Sequence, residues 1–402
     1  MSRVGLATAA VLLFLSAWIV VPAPNRLLLV LGVGAPEVSP WLLVASALVC
    51  GLALRGISSS NAMLLAFVLA GVAAALFAWP LVQVPATLRT FDAAMREGGV
   101  FDPLQVPAGH HPLSIRAFVA GLDAGTPTIA RGVAFAPGLT LDVYGAGRAG
   151  EARGVGGTPV IIQIYGGGWQ RGAPDDDGAC ARYLASRGYV VFAPDYRHAP
   201  QSRWPAQIED IRAALAWVVA HAADYGGDPD RIALVGRSAG AQLAMVAAYE
   251  RSSPAVRAVV SYYGPVDLAE GWRHPPRPDP LDARSLLETY LGGTPDQMPD
   301  RYLAASPISY VSRDVPPTLL LYGSRDHIVE ARFARELHSR LRAAGADAVL
   351  LEIPWAEHAF DAVPNGLSSQ ISLFYVERFL AWAMAWSPYP PDPPYSSPPS
   401  AR

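Results

Sequence analysis

Ser238 stands in Gly236-Arg237-Ser238-Ala239-Gly240, between the apolar run Ile232 to Val235 and the helix-forming run AQLAMVAAYE. Glycines two positions either side of a serine let the chain turn sharply from strand to helix and expose the hydroxyl in a strained conformation. The N-terminus of the helix that follows then faces developing negative charge. A hydroxyl is a poor nucleophile at neutral pH until a base takes its proton, and a carboxylate must hold that base in the right tautomer. Two later loops supply these groups. Asp326 follows TLLLYG in Gly323-Ser324-Arg325-Asp326, and His358 follows VLLEIP in Trp355-Ala356-Glu357-His358-Ala359-Phe360. Both lie just past the carboxyl ends of candidate strands, where open α/β sheets place their sites. His327, next to Asp326, is the alternative base, and Glu330 and Asp361 are the alternative carboxylates.

A second glycine cluster, Tyr165-Gly166-Gly167-Gly168-Trp169, directly follows the apolar run VIIQIY. Consecutive glycines free the backbone to aim N–H groups at one point, which is how an oxyanion hole holds a tetrahedral intermediate. The expected chemistry is acyl transfer through a serine, with no cofactor and no metal. The adjacent His110 and His111 point apart on any regular backbone and have no third ligand spaced to join them. Two cysteines, Cys50 and Cys180, cannot build a zinc cluster.

These residues need a sheet to position them. From Thr128 onward, short β-rich runs alternate with helical ones. The expected strands are Ile129 to Ala134, Leu139 to Tyr144, Val160 to Tyr165, Tyr189 to Ala193, Ile232 to Val235, Val256 to Tyr262, Thr318 to Tyr322 and Ala348 to Ile353. Helices are expected at Ala179 to Arg187, Gln207 to His221, Ala239 to Tyr249 and Ala331 to Ala344. Strands rich in Val, Ile and Leu without alternation fit a mostly parallel sheet of about eight strands with helices on both faces. Pro265 to Val311 is Pro-rich, acidic and too long for an ordinary connection, which suits a cap over the site.

The chain is 402 residues long and 51% apolar, more than one α/β domain needs, and the surplus lies in the nearly uncharged first 85 residues. Ala62 to Val84 carries no charge and is long enough to span a bilayer; Leu6 to Val21 and Trp41 to Leu54 are shorter candidates. Trp18, Trp41 and Trp79 lie near run ends, where an interfacial indole is favourable. Three transmembrane helices are therefore expected, making this an integral, multi-pass membrane protein. A net charge of −3 gives no basic footprint, which excludes nucleic acid as a partner.

The order of triple-glycine loop, serine elbow, Asp and His, with GGDPDRIALVGRSAG through the serine and FAPDYRHAP upstream, resembles the α/β-hydrolase superfamily. Within it, the chain is most similar to esterases and lipases related to hormone-sensitive lipase and to bacterial feruloyl-esterase-like enzymes. The likeness covers about Thr128 to Trp386. It implies Ser238 as nucleophile, His358 as base, Asp326 as orienter and the N–H groups of Gly167, Gly168 and Ala239 as oxyanion hole, with a small ester as substrate, lipid esters among the candidates. Many of these enzymes carry His before the triple glycine, where this chain has Tyr165. Asp195, in Pro194-Asp195-Tyr196-Arg197, matches a loop that braces the oxyanion region.

The expected organisation is a membrane region at 1–85, a juxtamembrane helix and linker at 86–127, the hydrolase domain at 128–386 with its cap at about 265–311, and a Pro-rich disordered tail at 387–402. A peptidase, an acyltransferase or a non-catalytic membrane scaffold could use the same fold.

Overall fold

The computed structural model describes residues 2–100, 111–122, 128–145, 157–250 and 256–384. His110 and the tail at 387–402 lie outside them. All eight expected strands form: β1 (Thr128–Ala136), β2 (Leu139–Tyr144), β3 (Thr158–Ile164), β4 (Val190–Pro194), β5 (Gly227–Arg237), β6 (Val256–Tyr262), β7 (Thr318–Gly323) and β8 (Ala348–Ile353). They make one sheet in the order β1-β2-β4-β3-β5-β6-β7-β8. The β1–β2 and β2–β4 pairs are antiparallel and the rest are parallel. Successive side chains on a strand point to opposite faces, so the unbroken burial of β4 and β7 means that both faces are covered.

The helices are α1 (Ser2–Ala17), α2 (Arg26–Glu37), α3 (Ser39–Leu54), α4 (Asn61–Glu97), α5 (Ile115–Ala120), α6 (Gly178–Ser186), α7 (Ala206–His221), α8 (Ala239–Tyr249), α9 (Leu268–Arg273), α10 (Ala283–Leu291), α11 (Pro299–Ala305), α12 (Ala331–Ala343) and α13 (Leu367–Ala383). The expected cap between β6 and β7 is helical, carrying α9, α10 and α11.

The N-terminal region departs from the expectation of three spans. Of the expected spans, the one within α4 is long and apolar enough to cross a membrane by itself. The 16-residue helices α1 and α3 reach only about 24 Å, against the roughly 30 Å of a hydrocarbon core. A further helix, α2, precedes α3 and is bent from it by 80°. Helices α1, α3 and α4 pack through small side chains, with Ala9, Ala53, Ala66 and Ala70 in one buried cluster.

The stretch read as a separate juxtamembrane helix is the last third of α4, which runs unbroken through Pro80 and Pro85. That third joins the core built around the sheet. Phe91 and Met95 are buried in it, Phe91 sits edge-to-face on Tyr375 at 5.2 Å, and the Tyr375 hydroxyl donates to Asp92 Oδ1 at 2.8 Å.

Candidate active site

Ser238 connects β5 to α8 with φ 51° and ψ −120°, a conformation that a non-glycine residue holds only under constraint from its surroundings. The constraint is close packing. A Cβ on Gly240 would lie 2.3 Å from the carbonyl oxygens of Ile164 and Tyr165, and one on Gly236 would lie 2.4 Å from the Gly240 oxygen. Neither contact can relax without moving backbone. Gly240→Ala should therefore destabilise the protein by about 1–3 kcal/mol or more, seen as a lowered thermal midpoint; an unchanged midpoint would mean that the elbow is looser than this geometry.

The serine hydroxyl donates to His358 Nε2 at 3.0 Å, and His358 Nδ1 donates to Asp326 Oδ2 at 2.8 Å. The other oxygen of Asp326 accepts the N–H groups of Ile328 and Val329, both at 2.8 Å. Asp326 and His358 are buried, while Ser238 is partly open to a cavity of about 1480 Å³. Burial works against the charged form of His358, but the charge and hydrogen bond of Asp326 outweigh it and leave the imidazole pKa above its usual value.

The triple-glycine loop leaves β3 beside the serine. A Cβ on Gly166 would lie 3.2 Å from that of Ser238, and Gly167 and Gly168 take φ of 117° and 63°. A Cβ on Gly167 would lie 2.1 Å from the Arg171 oxygen, so the turn requires glycine there. Gly167, Gly168 and Ala239 line the cavity with Ser238. Ala239 opens α8, so its N–H has no partner within the helix. Such an arrangement can pass a proton from serine to imidazole and receive an oxyanion next to it.

A family model, BD-FAE, matches residues 141–341, half of the chain, including Ser238 and Asp326. The chain belongs to the BD-FAE family. This places it among the esterase and lipase type of α/β-hydrolases. It is 34% identical over 241 residues to the probable carboxylic ester hydrolase LipM of Mycobacterium tuberculosis, covering 56% of this chain and 54% of that one. The chain spans about half the length of the curated relatives it matches. A bacterial heroin esterase superposes with a TM-score of 0.54 at 25% identity, over 67% of this chain and 88% of the other. Esterase 2 of Thermogutta terrifontis does so with a TM-score of 0.50 at 26% identity, over 60% and 87%.

In this BD-FAE member, Tyr165 makes polar contacts of its own at the position where many related enzymes carry His. Its hydroxyl donates to Asp195 and lies 2.9 Å from His198 Nε2, while its ring stacks on Tyr196 at 4.4 Å. Burial, reinforced by Tyr196 and Asp195, raises its pKa and keeps the phenol protonated as a donor. The glycine loop is thereby tied to the Asp195 loop. Trp169, at its far end, donates to Gln242 Oε1 at 2.9 Å and stacks on Tyr290 of α10 at 4.1 Å.

The alternative residues are held by other partners. His327 Nδ1 is 2.6 Å from Glu357 Oε2, and the hydrogen bond to Glu357 raises its pKa. Glu330 bonds Arg332 at the surface, and Asp361 accepts from Arg237 Nε at 2.5 Å and from Tyr263. Two contributors escape the sequence reading. Glu357 accepts the N–H of both His327 and His358, joining the loops after β7 and β8. Tyr263, bonded to Asp361, sets its ring 4.5 Å from that of His358. Glu357 adjoins His358 in sequence, the only signal that could have marked it; Tyr263 carries none.

Proposed function

We propose that this protein is a membrane-anchored serine hydrolase that cleaves carboxylic esters through an acyl-enzyme on Ser238. The observation that carries the reading is the unbroken chain of hydrogen bonds from Ser238 through His358 to Asp326 within one cavity. His358 Nε2 takes the hydroxyl proton as Oγ bonds to the acyl carbon, and the carbonyl oxygen gains negative charge toward the N–H groups of Gly167, Gly168 and Ala239. As the tetrahedral adduct collapses, the imidazolium returns the proton to the departing alcohol. Water, deprotonated by the same imidazole, then releases the acid and restores the serine. The ester hydrolase named LipM supports ester over amide substrates.

The anchor is part of the same proposal. Helices α1, α3 and α4 turn large apolar side chains outward, including Phe14, Leu48, Leu64 and Trp79. Exposed apolar faces on a bundle are stable against lipid and costly in water. We assign residues 1–85 to the membrane, with the apolar part of α4 as the crossing segment, 86–127 to the junction and 128–386 to catalysis.

Detergent-solubilised full-length protein should hydrolyse p-nitrophenyl esters and leave the matching anilides intact; the reverse preference would favour a peptidase. Protonated His358 cannot accept the serine proton, so kcat/KM should fall as pH drops through its pKa. Because that pKa is raised, the midpoint of the acid limb should lie above the ~6.5 of an ordinary imidazole. A limb centred well below that value would remove His358 as the base.

A further inference from the structure

The substrate cavity is walled on one side by a helix that lies outside the hydrolase domain. Leu27, Leu29, Val30, Val33 and Gly34 of α2 line the same cavity as Ser238 and His358. The other face of α2 is fixed to that domain. Gly32, whose Cβ position lies 4.0 Å from Glu357 Cγ, and Glu37 are buried there, and α2 packs against α13 and the turn Phe360–Ala362 that follows the His358 loop. The Glu37 carboxyl group accepts the Ser368 N–H at 2.7 Å and bonds its hydroxyl at 2.5 Å, capping the first turn of α13. Two hydrogen bonds to the first turn of a helix hold α2 in register with the catalytic loops.

Between Arg26 and Glu37 every residue of α2 is apolar. Leu27 and Val30 keep 82% and 69% of their surface exposed, so the wall is built of side chains that gain from apolar company. The cavity, at about 1480 Å³, exceeds the roughly 300–1000 Å³ that encloses a compact small molecule. Leu286 of the cap approaches the oxyanion loop, with Cδ1 3.0 Å from the Cβ position of Gly168, so cap and α2 both border the serine's cavity.

We propose that α2 is the chain-binding wall of the active site and that the substrates are esters carrying a long alkyl chain, which lies along Leu29, Val30, Val33 and Gly34. This rests on the ester-hydrolase reading above. It adds a substrate class and assigns that class to a segment before the catalytic fold.

The test uses the full-length protein and a fluorophosphonate with a sixteen-carbon chain ending in a photoreactive diazirine. Once the probe is bound to Ser238, irradiation should join the chain end to peptides within 26–37, as mapped by mass spectrometry. Cross-links confined to the cap, 265–311, would overturn the assignment of α2 while leaving the hydrolase reading intact. Failure to label Ser238 at all would overturn both.

A substitution gives an independent reading. The Cβ position of Gly34 has no atom within 4 Å, so Gly34→Trp has room to project into the cavity. It should lower the ratio of kcat/KM for p-nitrophenyl palmitate over p-nitrophenyl butyrate by about tenfold, within the range for blocking part of an apolar pocket. An unchanged ratio, whether both rates hold or both fall together, would contradict the proposal.

Discussion

Ser238→Ala should lower kcat for ester hydrolysis by roughly 10³ to 10⁶, with His358→Ala matching it closely, because residues that act as one unit lose little more when removed together. The geometry makes the two inseparable. The hydroxyl and Nε2 are 3.0 Å apart, and no other imidazole is hydrogen-bonded to Ser238 among the described residues. His327→Ala serves as the contrast. Its ring is held by Glu357, and its loss should change kcat by only a few-fold. A His327 variant as damaged as the His358 variant would move the base. The Ser238 variant should fold normally, since alanine removes one oxygen and leaves the backbone of the elbow unchanged.

Asp326→Asn should cost about 10⁴ in kcat, and the hydrogen bonds around the carboxylate say why. One oxygen accepts two backbone N–H groups, from Ile328 and Val329. In the asparagine variant the amide oxygen must take that place, since an NH₂ there would face two donors. The amide nitrogen is then turned toward His358 Nδ1, which must become an acceptor and carry its proton on Nε2 instead. An imidazole in that tautomer cannot accept from Ser238. The loss should ease at high pH if an external base replaces the imidazole, and kinetics across the alkaline range would reveal it. A variant within tenfold of the parent would mean that Asp326 does not set the tautomer.

Residues whose role follows from chemistry were legible in the sequence, and those whose role follows from packing were not. The serine elbow, the glycine loop, Asp326 and His358 each follow an apolar β run, and all eight strands formed where such runs were read. Helix α13 carries Ser368, Ser369, Gln370 and Ser372 at buried positions, so no apolar stripe marks it. Helix α2 is short and holds Gly32, Gly34 and Pro36, residues that read as loop until tertiary contacts override them. The continuity of α4 was hidden by Pro80 and Pro85. Proline is tolerated in apolar helices where neighbours satisfy the freed backbone, and α4 packs against α1 and α3. Glu37 is the clearest loss: its partner Ser368 is 331 positions away, a distance that no local pattern bridges.

Acylation of Ser238 with His358 as its base, as proposed, is open to a direct chemical test. Full-length protein treated with a short alkyl fluorophosphonate should gain the mass of a single phosphonyl group, located on the peptide that contains Ser238. The His358→Ala variant should label at least 100-fold more slowly at neutral pH, in keeping with the ~10²–10⁴ contributed by a positioned base. A protein that gains no adduct, or one whose adduct lies on any other residue, would contradict the account.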